Sequence, residues 1–191
     1  MNSIRVTVDT NMLDPSDIEG IKRAARDVGL DLDLTMVSVS VRERGEFDGS
    51  GIPSATTKES GVWAEAGWDQ AAWGIEEPFV LDESALDVGT LQSLSGCTRF
   101  DAILAVISNG SFPRPGGRDG LTAPQKRQLR DAMILEAHAR DGRDVFVTRD
   151  SKGFINHGKR EALQALCSTE IALPTEFADW CERYAASDCQ R

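Results

Sequence analysis

Ile4, Val6 and Val8 alternate with Arg5 and Thr7, which predicts a β-strand over 4–8 with one face more buried than the other. The strand runs straight into Asp9-Thr10-Asn11. Asp14-Pro15 then has the form of a helix start, with Asp14 as N-cap and Pro15 at the first helical position. Ile18, Ile21, Ala25 and Val28 continue it as a helical stripe, and Gly29 is a natural stop. Residues 33–40, DLTMVSVS, read as a second strand leading into the charged segment VRERGE. Farther on, Phe100, Ile103, Leu104 and Ile107 mark a buried helix, and 109–120 is a loop punctuated by Gly and Pro. Thr122 and Gln125 fit a capping box opening a helix that runs to about Arg140, with Gly142 able to end it. Residues 144–148, DVFVT, form a compact strand; 159–166 a helix; 169–173 a short strand. Thr175 caps a last helix whose Phe177, Trp180, Cys181 and Tyr184 share one face.

Between about 47 and 97 the pattern changes. Gly, Ser, Thr and the tryptophans Trp63, Trp68 and Trp73 show no clear period until a strand-like PFVLD (78–82) and a short helix-like SALDVGTLQSL (84–94). This stretch reads as an insertion of roughly 50 residues, too short and polar to build a core of its own. Its tryptophans pack it onto the body or offer surfaces for base stacking. The remainder alternates strands and helices, so residues 1–191 form a single α/β domain with a mainly parallel central sheet flanked by helices. In such sheets ligands bind outside the carboxyl ends of the strands.

Composition adds limits. With 21 Lys+Arg against 31 Asp+Glu the net charge is −10, which argues against a protein that holds nucleic acid by bulk electrostatics alone. It permits an enzyme that grips phosphates through carboxylate-bound cations. No apolar run is long enough to span a bilayer, and MNSIRVTVDT is not a signal peptide, so a cytoplasmic protein without membrane attachment is expected. Cys97, Cys167, Cys181 and Cys189 lack CxxC spacing, and free thiols rather than a zinc site are expected.

Two strands end alike: the first runs into Asp9, and DVFVT runs through Arg149 into Asp150. As parallel neighbours they would bring both carboxylates to one edge of the sheet. Glu43 lies just past the second strand, and Asp131 sits inside the capped helix, on the face it shares with Leu135 and His138. Four converging carboxylates repel one another unless a hard cation neutralises them. Oxygen-only ligands suit Mg²⁺ or Mn²⁺, ions that can activate water for attack on a phosphodiester.

These blocks resemble a PIN domain. Asp9, Thr10 and Asn11 match the family's opening Asp-Thr-Asn motif, and Ser40-Val-Arg-Glu43 resembles the strand end with its second acid. Asp131, Ile134, Ala137 and Ala139 match its acidic helix, and Val147, Thr148 and Asp150 its closing Val-Thr-x-Asp. The resemblance covers 4–46 and about 100–173, and leaves 47–97 unaccounted for. It implies a metal-dependent endoribonuclease cleaving single-stranded or structured RNA. Asp9, Asp131 and Asp150 would be the main Mg²⁺ or Mn²⁺ ligands, and Glu43 a ligand or a holder of metal-bound water. Thr10, Asn11, Thr148 and Ser40 would orient the carboxylates. Many PIN domains carry a further acid two residues beyond the fourth, where this chain has Lys152. A lysine there suits phosphate, as do Arg149, Arg114, Arg118, Lys126 and Arg127.

Two other readings compete. An aspartyl phosphotransferase resembling the haloacid dehalogenases needs Asp-x-Asp, and Asn11 stands in the second acid's place. A catalytically weak PIN-like module that binds RNA or protein would be compatible with the acidic surface, Lys152 and the tryptophans. The resemblance also admits the toxin of a toxin–antitoxin pair, with an antitoxin or other protein as partner, and a homodimer.

Overall fold

In a computed structural model, residues 3–12, 14–37, 39–40, 77–78, 89–90, 94–113 and 120–188 are described. Along the chain they form β1 (Ser3–Val8), α1 (Pro15–Asp27), β2 (Asp31–Thr35), β3 (Glu77–Pro78), β4 (Gly89–Thr90), α2 (Leu94–Ile107), α3 (Ala123–Arg140), β5 (Val145–Val147), α4 (Lys159–Cys167), β6 (Glu170–Ala172) and α5 (Pro174–Asp188). A 3₁₀ turn follows β1 at Thr10–Met12, and a π-helical turn follows β5 at Ser151–Ile155.

The main sheet has the order β2-β1-β5-β6, with every pairing parallel. The chain steps from β1 outward to β2, then returns on the other side of β1 through β5 to β6. Strand order therefore reverses between β1 and β5, and a crevice opens outside their carboxyl ends. Helices cover both faces, which explains why β1 is buried on both sides rather than one from Val6 onward. On one face Ile4, Val6, Val8, Val145 and Val147 pack with Ile18, Ile21, Phe177 and Trp180 of α1 and α5. On the other, Phe146 and Ile171 pack with Ile103, Ile107, Met133, Leu135 and Leu163 of α2, α3 and α4.

Local signals set most boundaries. The Asp14 carboxylate accepts from Ser16 N at 2.8 Å and Pro15 opens α1; beyond Val28, Gly29 takes the left-handed φ of 73° that ends the helix. Thr122 N donates to Gln125 Oε1 at 2.9 Å ahead of α3, and Gly142 closes it at φ 64°. Helix α5 begins at Pro174, one residue before the predicted cap at Thr175.

Other expectations change. The strand predicted over 33–40 stops at Thr35, where its pairing with β1 ends at Thr7. Beyond it Met36, Val37 and Val39 are all buried, Met36 in one core and the two valines in the other, so strict alternation is lost. Val39–Ser40 is helical, with Ser40 N donating to Val37 O. The short helix predicted over 84–94 is replaced at Gly89–Thr90 by a strand paired with Glu77–Pro78; Gly and β-branched Thr are weak helix formers. The rest of the predicted insertion up to Ser93, including Trp63, Trp68 and Trp73, lies outside the described residues, and α2 begins inside its predicted end. Cys167 and Cys181 are buried free thiols, each pushed up to about 12 by burial; Cys189 and the Cys97 side chain lie outside the described residues. Among the described residues no helix is long and apolar enough to cross a membrane.

One buried polar link fixes how α3 lies on the sheet. His138 Nδ1 is 2.8 Å from Thr7 Oγ1 on β1, and Nε2 is 2.6 Å from Thr169 Oγ1 at the start of β6. Burial holds this imidazole neutral, lowering its pKa to about 3, with Arg143 and Arg5 adding to the effect. Asp131 lies seven residues earlier, about 10 Å back along the helix, so the same link sets its height over the sheet. In the unfolded chain the imidazole regains a pKa near 6.5. Protonation below that value favours unfolding, so the link's stability is complete above about pH 6.5 and is lost progressively toward pH 3. Between pH 8 and pH 5 this group should remove about 2 kcal/mol of stability. Urea melts at the two pH values should show that loss in the wild type and lack it in His138→Gln. An equal pH dependence in both proteins would show that His138 is not the titrating group.

Candidate active site

Asp9 and Asp150 are brought together by the parallel pairing of β1 with β5. Asp9 N donates to Val147 O at 3.0 Å, extending the ladder one residue past β1. The Thr148 hydroxyl then joins the two strand ends: it donates to Asp9 Oδ2 at 2.6 Å and accepts from Asp150 N at 2.9 Å. Asn11 completes the link. Its Nδ2 donates to Asp9 Oδ2 at 2.8 Å, and its Oδ1 accepts from Arg149 N at 2.9 Å. Thr10 contributes its backbone N–H, 2.8 Å from Asp9 Oδ1. Asp9 is thus a buried carboxylate held on both oxygens, 3% exposed.

Asp150 is held differently. Its Oδ1 accepts from Lys152 N and Gly153 N, both at 2.9 Å, as the cap of the π-helical turn. That leaves Oδ2 without a hydrogen-bond donor among the described residues. A β-carbon placed on Gly153 would lie 2.6 Å from this Oδ2 and 3.7 Å from Asp131 Oδ2. The two carboxylates therefore face the same small space, and it exists because residue 153 has no side chain. The backbone of Gly153 does not need positive φ; the close approach is what requires glycine.

These groups line an open cleft of about 860 Å³, with Asp9, Asn11 and Asp131 on its wall beside Asp150 and Gly153. Arg127, Lys152 and Lys159 share that wall. Acidic and basic side chains thus face one space.

Several sequence-predicted residues stand elsewhere. Glu43, Arg114 and Arg118 lie outside the described residues. Ser40 is buried away from the cleft wall, and its hydroxyl has no hydrogen-bond partner among the described residues. Arg149 does not line the cleft: its guanidinium pairs with Asp17 of α1, because residue 149 points outward between Thr148 and Asp150. Lys126 is off the wall, and its neighbour Arg127 is on it. His138, on the same helix as Asp131, serves the sheet and not the cleft.

Sequence reasoning passed over Gly153 and Lys159. The π-turn has no periodicity to betray it. The only signal near Lys159 was the Asn-His-Gly run before it, where His157 (φ 62°) and Gly158 (φ 76°) take left-handed conformations that turn the chain back to the cleft.

No group of three or more His, Cys, Asp or Glu side chains close enough to cage a metal occurs among the described residues. The donor set suits a different kind of site. Mg²⁺ usually keeps several waters and binds through one or two carboxylates plus substrate phosphates. Asp131 and Asp150, converging over Gly153, are oxygen donors of that number and kind. Comparison with protein-family models, curated proteins and solved structures finds no match to this chain.

The Gly153 cradle is testable without reference to activity. Gly153→Ala drives a carbon into a carboxylate already fixed by two backbone N–H groups, and should destabilise the protein by roughly 1–3 kcal/mol. Gly20 lies inside α1 with nothing within 4 Å of an added β-carbon. Gly20→Ala should therefore stabilise by about 0.5–1 kcal/mol. Urea melts of the two variants should move in opposite directions; a neutral Gly153→Ala would remove the cradle.

Proposed function

We propose that this cleft hydrolyses phosphodiester bonds of RNA with Mg²⁺ or Mn²⁺ held by Asp131 and Asp150, with Asp9 beside them. The observation that carries this reading is the approach of Asp131 Oδ2 and Asp150 Oδ2 to the one space over Gly153. The choice of RNA rests on the resemblance of the Asp9, Asp131 and Asp150 blocks to PIN domains. When bound, such an ion supplies an activated water at neutral pH and neutralises charge on the phosphate. The chain's own residues supply the positioning. Lys152 N and Gly153 N hold Asp150 Oδ1, so that Oδ2 keeps one direction. Thr148 and Asn11 fix Asp9 against the neighbouring strand. His138 sets the register of α3 and with it the height of Asp131.

A second reading is favoured by Lys152 and Lys159: lysines on the same wall supply countercharges, and the cleft then holds RNA without cutting it. Divalent metal separates the two. Labelled single-stranded RNA should be cleaved in Mn²⁺ or Mg²⁺ and left intact in chelator. Asp131→Asn and Asp150→Asn should each lose more than the roughly 10–100-fold that removing an outer hydrogen bond such as that of Thr148→Val costs. RNA that is bound equally in metal and chelator and never cut would establish the binding module instead.

Stability gives an independent measurement. Asn at position 150 keeps an acceptor for Lys152 N and Gly153 N while removing a charge that faces Asp131. Asp150→Asn should therefore melt at or above the wild type in chelator, against the usual loss of about 1 kcal/mol for a point mutation. Millimolar Mn²⁺ should raise the wild-type melting temperature and raise the variant's much less. Equal gains from metal would show that Asp150 is not a ligand.

A further inference from the structure

Lys159 is a buried cation that pairs with no acid among the described residues. Its side chain lines the cleft, yet the residue is only 6% exposed. Its ammonium donates to Ile107 O at 2.7 Å and to Lys152 O at 2.9 Å, and makes no ion pair among the described residues. An ammonium carries three donors, so two carbonyls leave one N–H unassigned. Burying a charge is costly unless it is paired. Ile107 ends α2, so its carbonyl belongs to the negative end of that helix and offsets part of the charge. Among the described residues no carboxylate lies within ion-pair distance of this ammonium.

The surroundings indicate what would supply a counter-charge. Lys152 is exposed on the same wall, and its side chain pairs with no acid among the described residues: its peptide N–H donates to Asp150 Oδ1 and its carbonyl accepts from Lys159 Nζ. One residue is thus held from both sides, by the candidate metal ligand and by the buried lysine. Arg127 stands on the same wall. A multivalent oxyanion is the ligand that can accept from a fixed ammonium and two cationic side chains at once.

We propose that Lys159, with Lys152 and Arg127, forms a phosphate subsite in the cleft that grips the backbone of a single-stranded polynucleotide. The proposal rests on the hydrolase reading for the identity of the strand, but the grip itself needs no metal. Lys159 is the preorganised member, since two carbonyls already fix its ammonium. Lys152 and Arg127 close on the phosphate from exposed side chains.

The test is binding of a fluorescent oligouridylate in chelator over a series of salt concentrations. Each lost phosphate contact lowers the slope of log affinity against log salt by about 0.7 for a single strand. Lys159→Met and Lys152→Ala should each weaken binding about tenfold and lower the slope by about that amount. Arg23→Ala, on α1, should change neither. Unchanged affinity and slope in Lys159→Met would overturn the subsite even if the wild type cleaves RNA in Mn²⁺. A lowered slope with no cleavage by the wild type would keep the subsite and reject the hydrolase. Should Lys159→Met not fold, the wild type labelled with ¹⁵N-lysine decides. Uridine 5′-monophosphate in chelator should shift the buried ammonium signal, and a signal that stays in place through saturation overturns the proposal.

Discussion

A single hydroxyl joins the two strand ends on which the cleft is built. Thr148 Oγ1 donates a hydrogen bond to Asp9 and accepts one from the backbone N–H of Asp150, so the carboxylate after β1 and the turn after β5 cannot move apart independently. Parallel pairing places the strands side by side, but it ends at Val8 with Val147, one residue short of Asp9. Past that point the main-chain ladder offers only the bond from Asp9 N to Val147 O. Side chains have to finish the sheet, and Thr148 and Asn11 do so with hydrogen bonds shared between the two strands. In a low-dielectric interior such a network is strong when satisfied and costly when broken, which makes the strand ends rigid.

The same economy of means places the remaining groups. Asp131 comes from a helix, and a helix can slide or rotate on an apolar sheet unless something polar holds it. The bridge from Thr7 through His138 to Thr169 is that hold, buried and neutral. At the other end of the cleft the π-turn packs its chain closely enough for Gly153 to lie against two carboxylates. Lys159 ties the carbonyl of that turn to the end of α2. The cleft is therefore braced from the sheet, from α3 and from α2.

The charge distribution has a consequence for the whole molecule. A chain of net charge −10 repels a polynucleotide at long range, so any grip on one must be local. Arg127, Lys152 and Lys159 are gathered on one wall, whereas Arg149, Arg143 and Arg99 are taken up by Asp17, by Asp33 with Asp141, and by Glu136. Basic residues that look alike in sequence thus differ in whether they line the cleft, and Lys159 both lines it and holds the fold.

The sequence by itself determined the α/β order, the helix caps at Asp14 and Thr122, the stops at Gly29 and Gly142, and the two acids that follow β1 and β5. Each depends on residues within a few positions of one another, where propensity, capping and periodicity act. Tertiary structure alone decided that β2 stops at Thr35, because an edge strand pairs only as far as its one neighbour allows. It decided that Arg149 turns to Asp17, that His138 belongs to the sheet, and that Asp131 and Asp150 meet over Gly153. Those outcomes depend on groups brought together from distant parts of the chain, and no local pattern records which partner a long or buried polar side chain will find. Gly153 and Lys159 show this most plainly: a glycine in an aperiodic turn and a lysine at a helix start acquire their meaning only from what the fold sets against them.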